Sequence, residues 1–373
     1  MSLNSSTFLT LADWAARRDP NGGIADTVNL LSQTNEILDD LIWKEGNLPT
    51  GNKTTVRTGL PAATWRMLNY GVPRGKSTTA QVTDTCGMLE TYSTIDKDLA
   101  KLEGDVAAFR LSEDLAFLEG MNQQMARTLF YGNEQKDVAA FTGLSPRFNT
   151  LDISKAPSAA NVMDAGGRGS TNTSIWLCCW GPTAGFGIFP KGSVAGLQQK
   201  DVTTDAPILD ENGNPYQAYQ MHYKWDCGLT NGNPYQAYQM HYKWDCGLTI
   251  RDWRYFVRIG NIDVPKLTGP DAANLIALMA AACFKPPTMP SSASNVQSAT
   301  RATGGTPLSF GRPVFYVNRT IASALSIQAM NKTNVLLTQD QFDGKPVLRF
   351  RGIPIRVVDA IMNTEDTITG FAS

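Results

Sequence analysis

One stretch of the chain lacks the material for a hydrophobic core, and it limits the possible folds more than any other feature. Of residues 46–83, 20 are Thr, Asn, Gly, Pro or Ser, and the large apolar residues are few and scattered. Residues 53–58 and 63–68 resemble strands and are separated by GLPAA, which predicts an extended two-stranded loop. Because an isolated two-stranded hairpin is only marginally stable in water, this loop needs support from another part of a protein.

The same stretch, called the ribbon below (residues 46–83), is strongly basic. It contains no acid and five bases, which are Lys53, Arg57, Arg66, Arg74 and Lys76. The next stretch, residues 84–119, has nine acids against three bases. A basic ribbon of this kind could fold back on its own chain or lie on a neighbouring copy of the protein, and a solvated flexible loop is the alternative.

A second unusual feature is an uninterrupted duplication. Residues 212–230, NGNPYQAYQMHYKWDCGLT, are repeated letter for letter at residues 231–249. Two identical copies without a third favour a recent in-frame duplication, or an error, over a solenoid. Tyr219, Met221, Tyr223 and Trp225 alternate with more polar residues, which predicts a half-buried strand. Only one copy can occupy that strand position, and the other must extend a hairpin or form an insertion at the surface.

The chain offers no convincing site for metal or nucleotide binding. A zinc site built from His222, Cys227, His241 and Cys246 lacks the short ligand spacings of structural zinc sites. The sequence YGVPRGKST resembles a phosphate-binding loop but has the wrong glycine spacing and leads into a strand-like segment. We therefore predict no metal and no cofactor.

Catalytic residues are equally hard to assign. The only independent histidine lies on an alternating strand, where structural or surface roles are commoner than catalytic ones. Adjacent carboxylates such as Glu113 and Asp114 fall on a predicted helix, where neighbours in sequence do not face each other. We predict no catalytic residues, and a structural protein is favoured over an enzyme.

Composition excludes further classes of protein. With 33 basic and 34 acidic residues among 373, the chain lacks the overall positive charge that would attract nucleic acid. Its longest uncharged apolar run covers residues 275–284, about half of the roughly 20 residues that a membrane span needs. No secretion signal is visible, and the cysteines are expected to be reduced. We expect a soluble protein of two or three packed units.

The remaining patterns predict a mixed α+β fold. Helices are predicted at residues 10–18, 24–44, 105–131 and 271–284, the third with an apolar stripe of Leu111, Leu115, Leu118, Met125 and Leu129. Strands are predicted in SIWLCCW, GFGIFP, PVFYVN, KPVLRFR and IPIRVVDAI, and a further helix in RTIASALSIQAM. In the strand IRDWRYFVRIGNIDV, Val257 and Ile259 share one face, and Arg254 and Arg258 lie on the other.

The order of these segments resembles a known family. A helical arm, the basic loop GNKTTVRTGLPAATWRMLNYGVPRGKSTTAQV, the long helix FRLSEDLAFLEGMNQQMARTLFYGN and the late FYVNRTI and GKPVLRFRGIPIRVVDAI resemble major capsid proteins of tailed, in particular short-tailed, bacteriophages with the HK97-like fold. The resemblance implies an N-terminal arm (1–45), an E-loop with its return strands (46–103), a P domain (104–263) that includes spine helix 105–131 and the duplication 212–249, and an A domain (264–373). Two long strands precede the A-domain-like helix, so the strand order is permuted.

The resemblance also implies a function and partners. Such a protein self-assembles as pentamers and hexamers into an icosahedral head around double-stranded DNA, in the host bacterial cytoplasm, and becomes part of the virion. Scaffolding, portal and decoration proteins are potential partners; the packaged DNA is near by proximity only, and no membrane is involved. Alternatives are an encapsulin-type nanocompartment shell and, from a different class, an unrecognised enzyme.

The family's E-loop lies over an adjacent subunit, which favours an intersubunit role for the ribbon. The resulting hypothesis is that the five ribbon cations pack against the acidic face around Glu113, Asp114 and Glu119 of a neighbouring copy.

Overall fold

The chain divides into two compact units that are interleaved in sequence. The computed structural model describes residues 33–69, 71–96, 100, 105–201, 207–209, 215–218, 236–267, 272–287, 311–330, 337–342 and 345–369. Unit 1 comprises Met1–Gln33, Met88–Met125 and Gly196–Trp244, and unit 2 comprises Thr34–Gly87, Ala126–Ala195 and Asp245–Ser373. The predicted helix at residues 10–18 lies outside the described residues.

The described chain contains both helices and strands in separate groups, as expected for an α+β protein. The helices are α1 (Ile37–Asp40), α2 (Val106–Tyr131), α3 (Leu275–Ala282) and α4 (Arg319–Met330). The strands are β1 (Trp43–Glu45), β2 (Gly51–Gly59), β3 (Thr78–Asp96), β4 (Val162–Asp164), β5 (Asn172–Trp180), β6 (Gly185–Phe189), β7 (Gln198–Asp201), β8 (Pro207–Leu209), β9 (Pro215–Ala218), β10 (Gln236–Ile250), β11 (Phe256–Asp263), β12 (Arg312–Val317), β13 (Leu337–Phe342), β14 (Lys345–Phe350) and β15 (Ile353–Val357).

Unit 2 is built on a mixed sheet with β5 at its centre. Strand β5 pairs antiparallel with both β11 and β12, and β12 pairs parallel with β15. Every residue of β5 is buried, so both faces of the sheet are covered. Helices α3 and α4 contribute Met279 and Leu325 to the cluster on one face, and the rings of Phe130 and Phe148 pack against Trp176 on the other. Burial on both faces explains the continuous apolar run of this strand.

A buried ion pair ties the C-terminal segment to this sheet. The Arg258 guanidinium lies 2.9 Å from Glu365 Oε2, and both side chains are 4% exposed. It also donates to Ser174 Oγ at 3.0 Å and lies over the Trp176 ring. The alternation in the sequence places Arg258 on the face of the strand opposite Val257 and Ile259 but does not predict that it is buried. Its partner is 107 residues away, and a local alternation pattern contains no information about such a partner.

In unit 1, the first part of α2 packs against strands. Met121 of α2 forms a small core with Met240 and Tyr242 of β10, and Leu89 of β3 packs against it. The start of β10 pairs antiparallel with β7, with Met240 opposite Asp201. This arrangement positions α2 beside the part of β3 that follows the ribbon.

The structure shows which copy of the duplicated sequence forms the predicted strand. The second copy forms β10, the long strand predicted from the alternation within one copy. Residues Gln217 and Ala218 of the first copy pair in parallel with their own duplicates, Gln236 and Ala237. The other residues of the first copy, including His222 and Cys227, lie outside the described residues apart from Pro215 and Tyr216 in β9.

Several predicted elements need correction. The predicted helix 24–44 is, in its described part, only the single turn α1 followed by β1, because the backbone of Trp43 pairs with Gly187 of β6. Residues 63–68 form no strand, and each of them is exposed. The strand β13 was not predicted. Helix α2 is confirmed, but only part of its predicted apolar stripe is buried, since Leu111 and Leu115 are 60% and 53% exposed.

Candidate intersubunit surface

The base of the ribbon is fixed to the body of unit 2. Buried Asp84, opposite Asn52 where β3 returns to the base, forms an ion pair with Arg147 at 2.8 Å. Arg147 also donates to the carbonyl oxygens of Thr142 and Leu248, both at 3.1 Å. A Cβ on Gly51 would lie 2.0 Å from the Asp84 carbonyl oxygen, so only glycine permits this approach of β2 to β3. These contacts determine where the ribbon leaves unit 2.

Beyond the base, the ribbon has two paired strands and an uncovered tip. Strands β2 and β3 pair antiparallel from Gly51 opposite Thr85 to Gly59 opposite Thr78. No described residue from Lys53 to Thr83 is buried. The large apolar side chains of the tip are correspondingly exposed: Leu60 80%, Trp65 99%, Met67 67% and Leu68 85%. Several large apolar side chains this exposed within one short segment are typical of an interaction surface.

All five predicted cations lie on the exposed part of the ribbon. Lys53 and Arg57 are on β2, and Arg66, Arg74 and Lys76 are in the tip. Within the described residues, none of these five side chains forms an ion pair, and Lys53 is held only through its backbone, which bonds to the Asn47 side chain. The ribbon therefore presents its positive charge to the surroundings.

The three predicted acids occupy different environments on α2 of unit 1. Asp114 is buried, with 8% exposure, and forms a side-chain hydrogen bond with Tyr242. Burial, with a further contribution from Asp114, raises the pKa of Tyr242 to about 12. Glu119 accepts hydrogen bonds from the Gln33 backbone and the Gln123 side chain, both at 2.8 Å, and remains partly exposed. Glu113 is also partly exposed. Of the three, Asp114 is the one already enclosed by its own chain.

The residues that form this surface differ in how far they can be predicted from the sequence. Trp65 and Leu60 are evident in the sequence as large apolar residues in a stretch without a core. The sequence pattern alone does not identify them as an interaction site. The anchor of the ribbon was missed altogether, because Asp84 and Arg147 are 63 residues apart and neither has a local signature.

The described residues contain neither a candidate metal-binding group nor a candidate membrane-spanning helix. Within the described ranges, no three side chains of His, Cys, Asp or Glu form a group that could hold a metal ion. His241 instead lies 3.2 Å from Glu90 and stacks on Tyr92. None of the described helices has the length and apolar content that a membrane crossing requires.

Comparison with solved structures shows a near relative over the whole chain. A chain from the near-atomic cryo-EM structure of bacteriophage Epsilon15 is 40% identical, with 99% of each chain covered and a TM-score of 0.68. The bacteriophage JBD30 capsid matches at 10% identity, with 96% of each chain covered and a TM-score of 0.41. An encapsulin complex from Synechococcus elongatus PCC 7942 matches at 10% identity over 67% of this chain and 98% of that one, with a TM-score of 0.36. The last two likenesses are too distant to support an argument.

The sequence also matches a family over nearly its full length. The family described as Major capsid protein GP7 matches residues 19–230 and 230–369. The two matches meet at the end of the first duplicated copy. A search of curated proteins gave no match.

The exposed ribbon, the α+β fold and the matches to the Epsilon15 chain and to the GP7 family define a shell-building protein of a phage virion, with the HK97-like capsid fold. The chain belongs to the major capsid protein GP7 family.

Proposed function

We propose that this capsid protein assembles as pentamers and hexamers into an icosahedral head that encloses double-stranded DNA, and that assembly takes place in the host bacterial cytoplasm. Scaffolding, portal and decoration proteins are the partners expected during assembly. The near-neutral net charge of −1 suits a wall that faces packaged DNA without binding it tightly. Family membership supports the phage head over the nanocompartment alternative.

The ribbon is the segment proposed to join one subunit to the next. One observation carries this proposal: the ribbon is anchored at its base by the buried Asp84–Arg147 pair, yet its tip is almost entirely exposed. An ordered segment without apolar cover in its own chain gains that cover when a neighbouring copy supplies a surface.

Charge determines which neighbouring surface is proposed. The five ribbon cations face Glu113 and Glu119 on α2 of the adjacent copy, and Asp114 acts there as a buried support for Tyr242. Each exposed ion pair contributes only about 0–1 kcal/mol. Repetition over a closed shell makes these small contributions significant, and the electrostatic match also selects the orientation of approach.

The domain bounds remain part of the proposal. In it, residues 1–45 form the N-terminal arm, 46–103 the E-loop, 104–263 the P domain and 264–373 the A domain. The interleaving of units 1 and 2 supports a permuted order, because β10 and β11 precede α3 in sequence.

A double charge reversal on the ribbon tests the intersubunit contact. We expect Arg57→Glu with Arg66→Glu to abolish shell formation, because the substitutions turn attraction toward acidic residues into repulsion, and to leave the subunit folded. Negative-stain microscopy measures the shells, and circular dichroism measures the fold.

The matched control reverses two exposed cations outside the ribbon, Lys155→Glu with Lys266→Glu, which are 62% and 63% exposed. This control makes the same change in net charge and should still assemble. Normal shells from the ribbon variant would refute the proposed contact, as would equal loss of shells in both variants.

A further inference from the structure

A glycine in the middle of α2 has no explanation within its own chain. A Cβ on Gly120 would meet no atom within 4 Å, and the residue is exposed. Glycine destabilises a helix interior relative to alanine, because it loses more backbone freedom on folding. Alanine at this position would therefore make the helix more stable. The contacts within the chain do not require glycine here, which points to a contact with another molecule.

Gly120 borders a groove in unit 1. The groove, of about 360 Å³, is lined on one side by Leu89 and Thr91 of β3 and on the other by Ala116, Phe117, Gly120 and Met121 of α2. Its lining is predominantly apolar, and a volume in this range accommodates a large side chain with its neighbours. A methyl group at position 120 would project from the helix beside this groove.

Acidic residues lie along the same groove. Glu90 lines it, next to Leu89, and its carboxylate also contacts His241 at 3.2 Å and forms an ion pair with Lys243 at 3.4 Å. Glu113 precedes Gly120 by seven residues on the same helix, which places it two turns or about 10 Å away on the same face. The groove thus combines an apolar floor with negative charge at its margin.

The tip of the ribbon has the complementary chemistry. Trp65 is 99% exposed and is followed directly by Arg66. An indole ring with a neighbouring guanidinium offers a flat apolar surface and a positive charge, and Trp and Arg are the residues most often found at the energetic centre of interfaces.

We propose that Trp65 of one copy docks in the groove beside Gly120 of a second copy, and that Arg66 is directed toward the acids at its margin. This inference rests on the proposed intersubunit role of the ribbon and specifies its anchor. Gly120 keeps the groove open for the indole ring, which explains why a helix tolerates glycine there. Most of the docking free energy then comes from burial of the indole ring, and the ribbon charges determine the orientation in which the two copies meet.

Gly120→Ala tests the inference because it should act in opposite directions on the subunit and on the shell. In the unassembled subunit it should raise the melting temperature by about 1–2 °C, through better helix propensity. In the shell it should weaken docking, and Gly120→Leu, which fills the groove, should raise the concentration needed for assembly at least about tenfold. Sedimentation and electron microscopy measure assembly.

Trp65→Ala should raise that concentration to a similar extent, again about tenfold or more. The combination Trp65→Ala with Gly120→Leu should be little worse than either single variant, because both remove the same contact. Gly169→Ala is the matched control, since Gly169 is exposed in unit 2 and has room for a Cβ. It should assemble normally.

The outcomes separate this inference from the proposal on which it rests. Normal assembly of Trp65→Ala, or additive effects of the two substitutions, would overturn the docking of Trp65 and leave the ribbon contact to be judged by the charge reversal alone. Loss of assembly in Gly120→Leu with none in Trp65→Ala would assign the groove to a different partner and would equally overturn it.

Discussion

Arg147 joins the base of the ribbon to unit 2 through one ion pair and two hydrogen bonds to backbone carbonyl oxygens. It neutralises buried Asp84 and donates to the backbone of Thr142 and Leu248. If Arg147 were removed, Asp84 would remain as a buried carboxylate without its ion pair, which is more costly than the loss of an exposed ion pair.

We therefore expect Arg147→Met to lower the free energy of unfolding by about 3 kcal/mol. Arg319→Met is the control, because Arg319 is 66% exposed in its pair with Asp359 and should cost about 0–1 kcal/mol. Urea unfolding followed by circular dichroism compares the two. Equal effects would show that the base of the ribbon does not depend on this ion pair.

At the scale of elements, the duplicated sequence shows how identical segments take different positions. The second copy forms β10, whose residues Tyr242, Cys246 and Leu248 are buried. The end of this strand is held by its pairing with β6, from Gly247 to Ile250. Because the extra residues precede Gln236, they do not interrupt this buried part of the ladder.

Deletion of residues 212–230 should consequently leave both the fold and shell assembly intact. Removal of residues 231–249 would give the same polypeptide, so the outcome does not depend on which copy is considered surplus. The stability change should stay within about 1 kcal/mol, since loop length contributes only weakly to loop-closure entropy. Thermal unfolding and electron microscopy provide the measurements.

A variant in which residues 212–230 are replaced by a Gly/Ser sequence of equal length separates length from sequence. It should behave like the deletion variant. Loss of assembly in both variants would mean that the first copy contributes a contact of its own, contrary to this prediction.

Helix α2 also illustrates the limits of a periodic pattern. Its existence and its end at Gly132 follow from the sequence, and the structure has Val106–Tyr131 helical with Gly132 donating to the Thr128 carbonyl oxygen. Its pattern of burial does not follow, since Asp114 is buried and Leu111 is exposed. The helix thus keeps apolar residues on its surface, as a protein that assembles through its surfaces would.

At the scale of the whole molecule, groups in both units respond to alkaline pH in the same direction. Burial raises the pKa of Cys86 to about 11, with help from Asp245 and Asp84. Burial likewise raises the pKa of Cys179 to about 12 and that of Tyr242 to about 12. Each of these groups is uncharged when protonated, and the folded state favours that form.

Stability should therefore fall as the pH rises above about 9. The unfolded chain releases these protons near the ordinary pKa values of 9.0 and 10.0, so between pH about 9 and about 12 it binds fewer protons than the folded chain does. Below pH 9 the contribution is fully present. Urea unfolding at a series of pH values tests this, and Cys86→Ala should reduce the slope. A free energy of unfolding that stayed constant or rose over this range would contradict it.

Features that depend on local order can be predicted from the amino-acid sequence alone. The α2 helix, the central strands and the uncovered basic ribbon follow from periodicity and composition, because side-chain spacing and the absence of apolar residues act within a few turns or strand lengths. The order of segments sufficed to indicate the capsid family.

Features that depend on distant partners follow from the folded structure and not from local sequence. Identical sequences cannot distinguish which copy forms β10, and the ladder with β6 makes that choice. Arg258 is buried because Glu365 neutralises it, Trp43 is in a strand because β6 offers it an edge, and the ribbon has a fixed base because Arg147 meets Asp84. Each of these outcomes depends on the free energy of a contact between residues far apart in sequence, which local preferences do not contain.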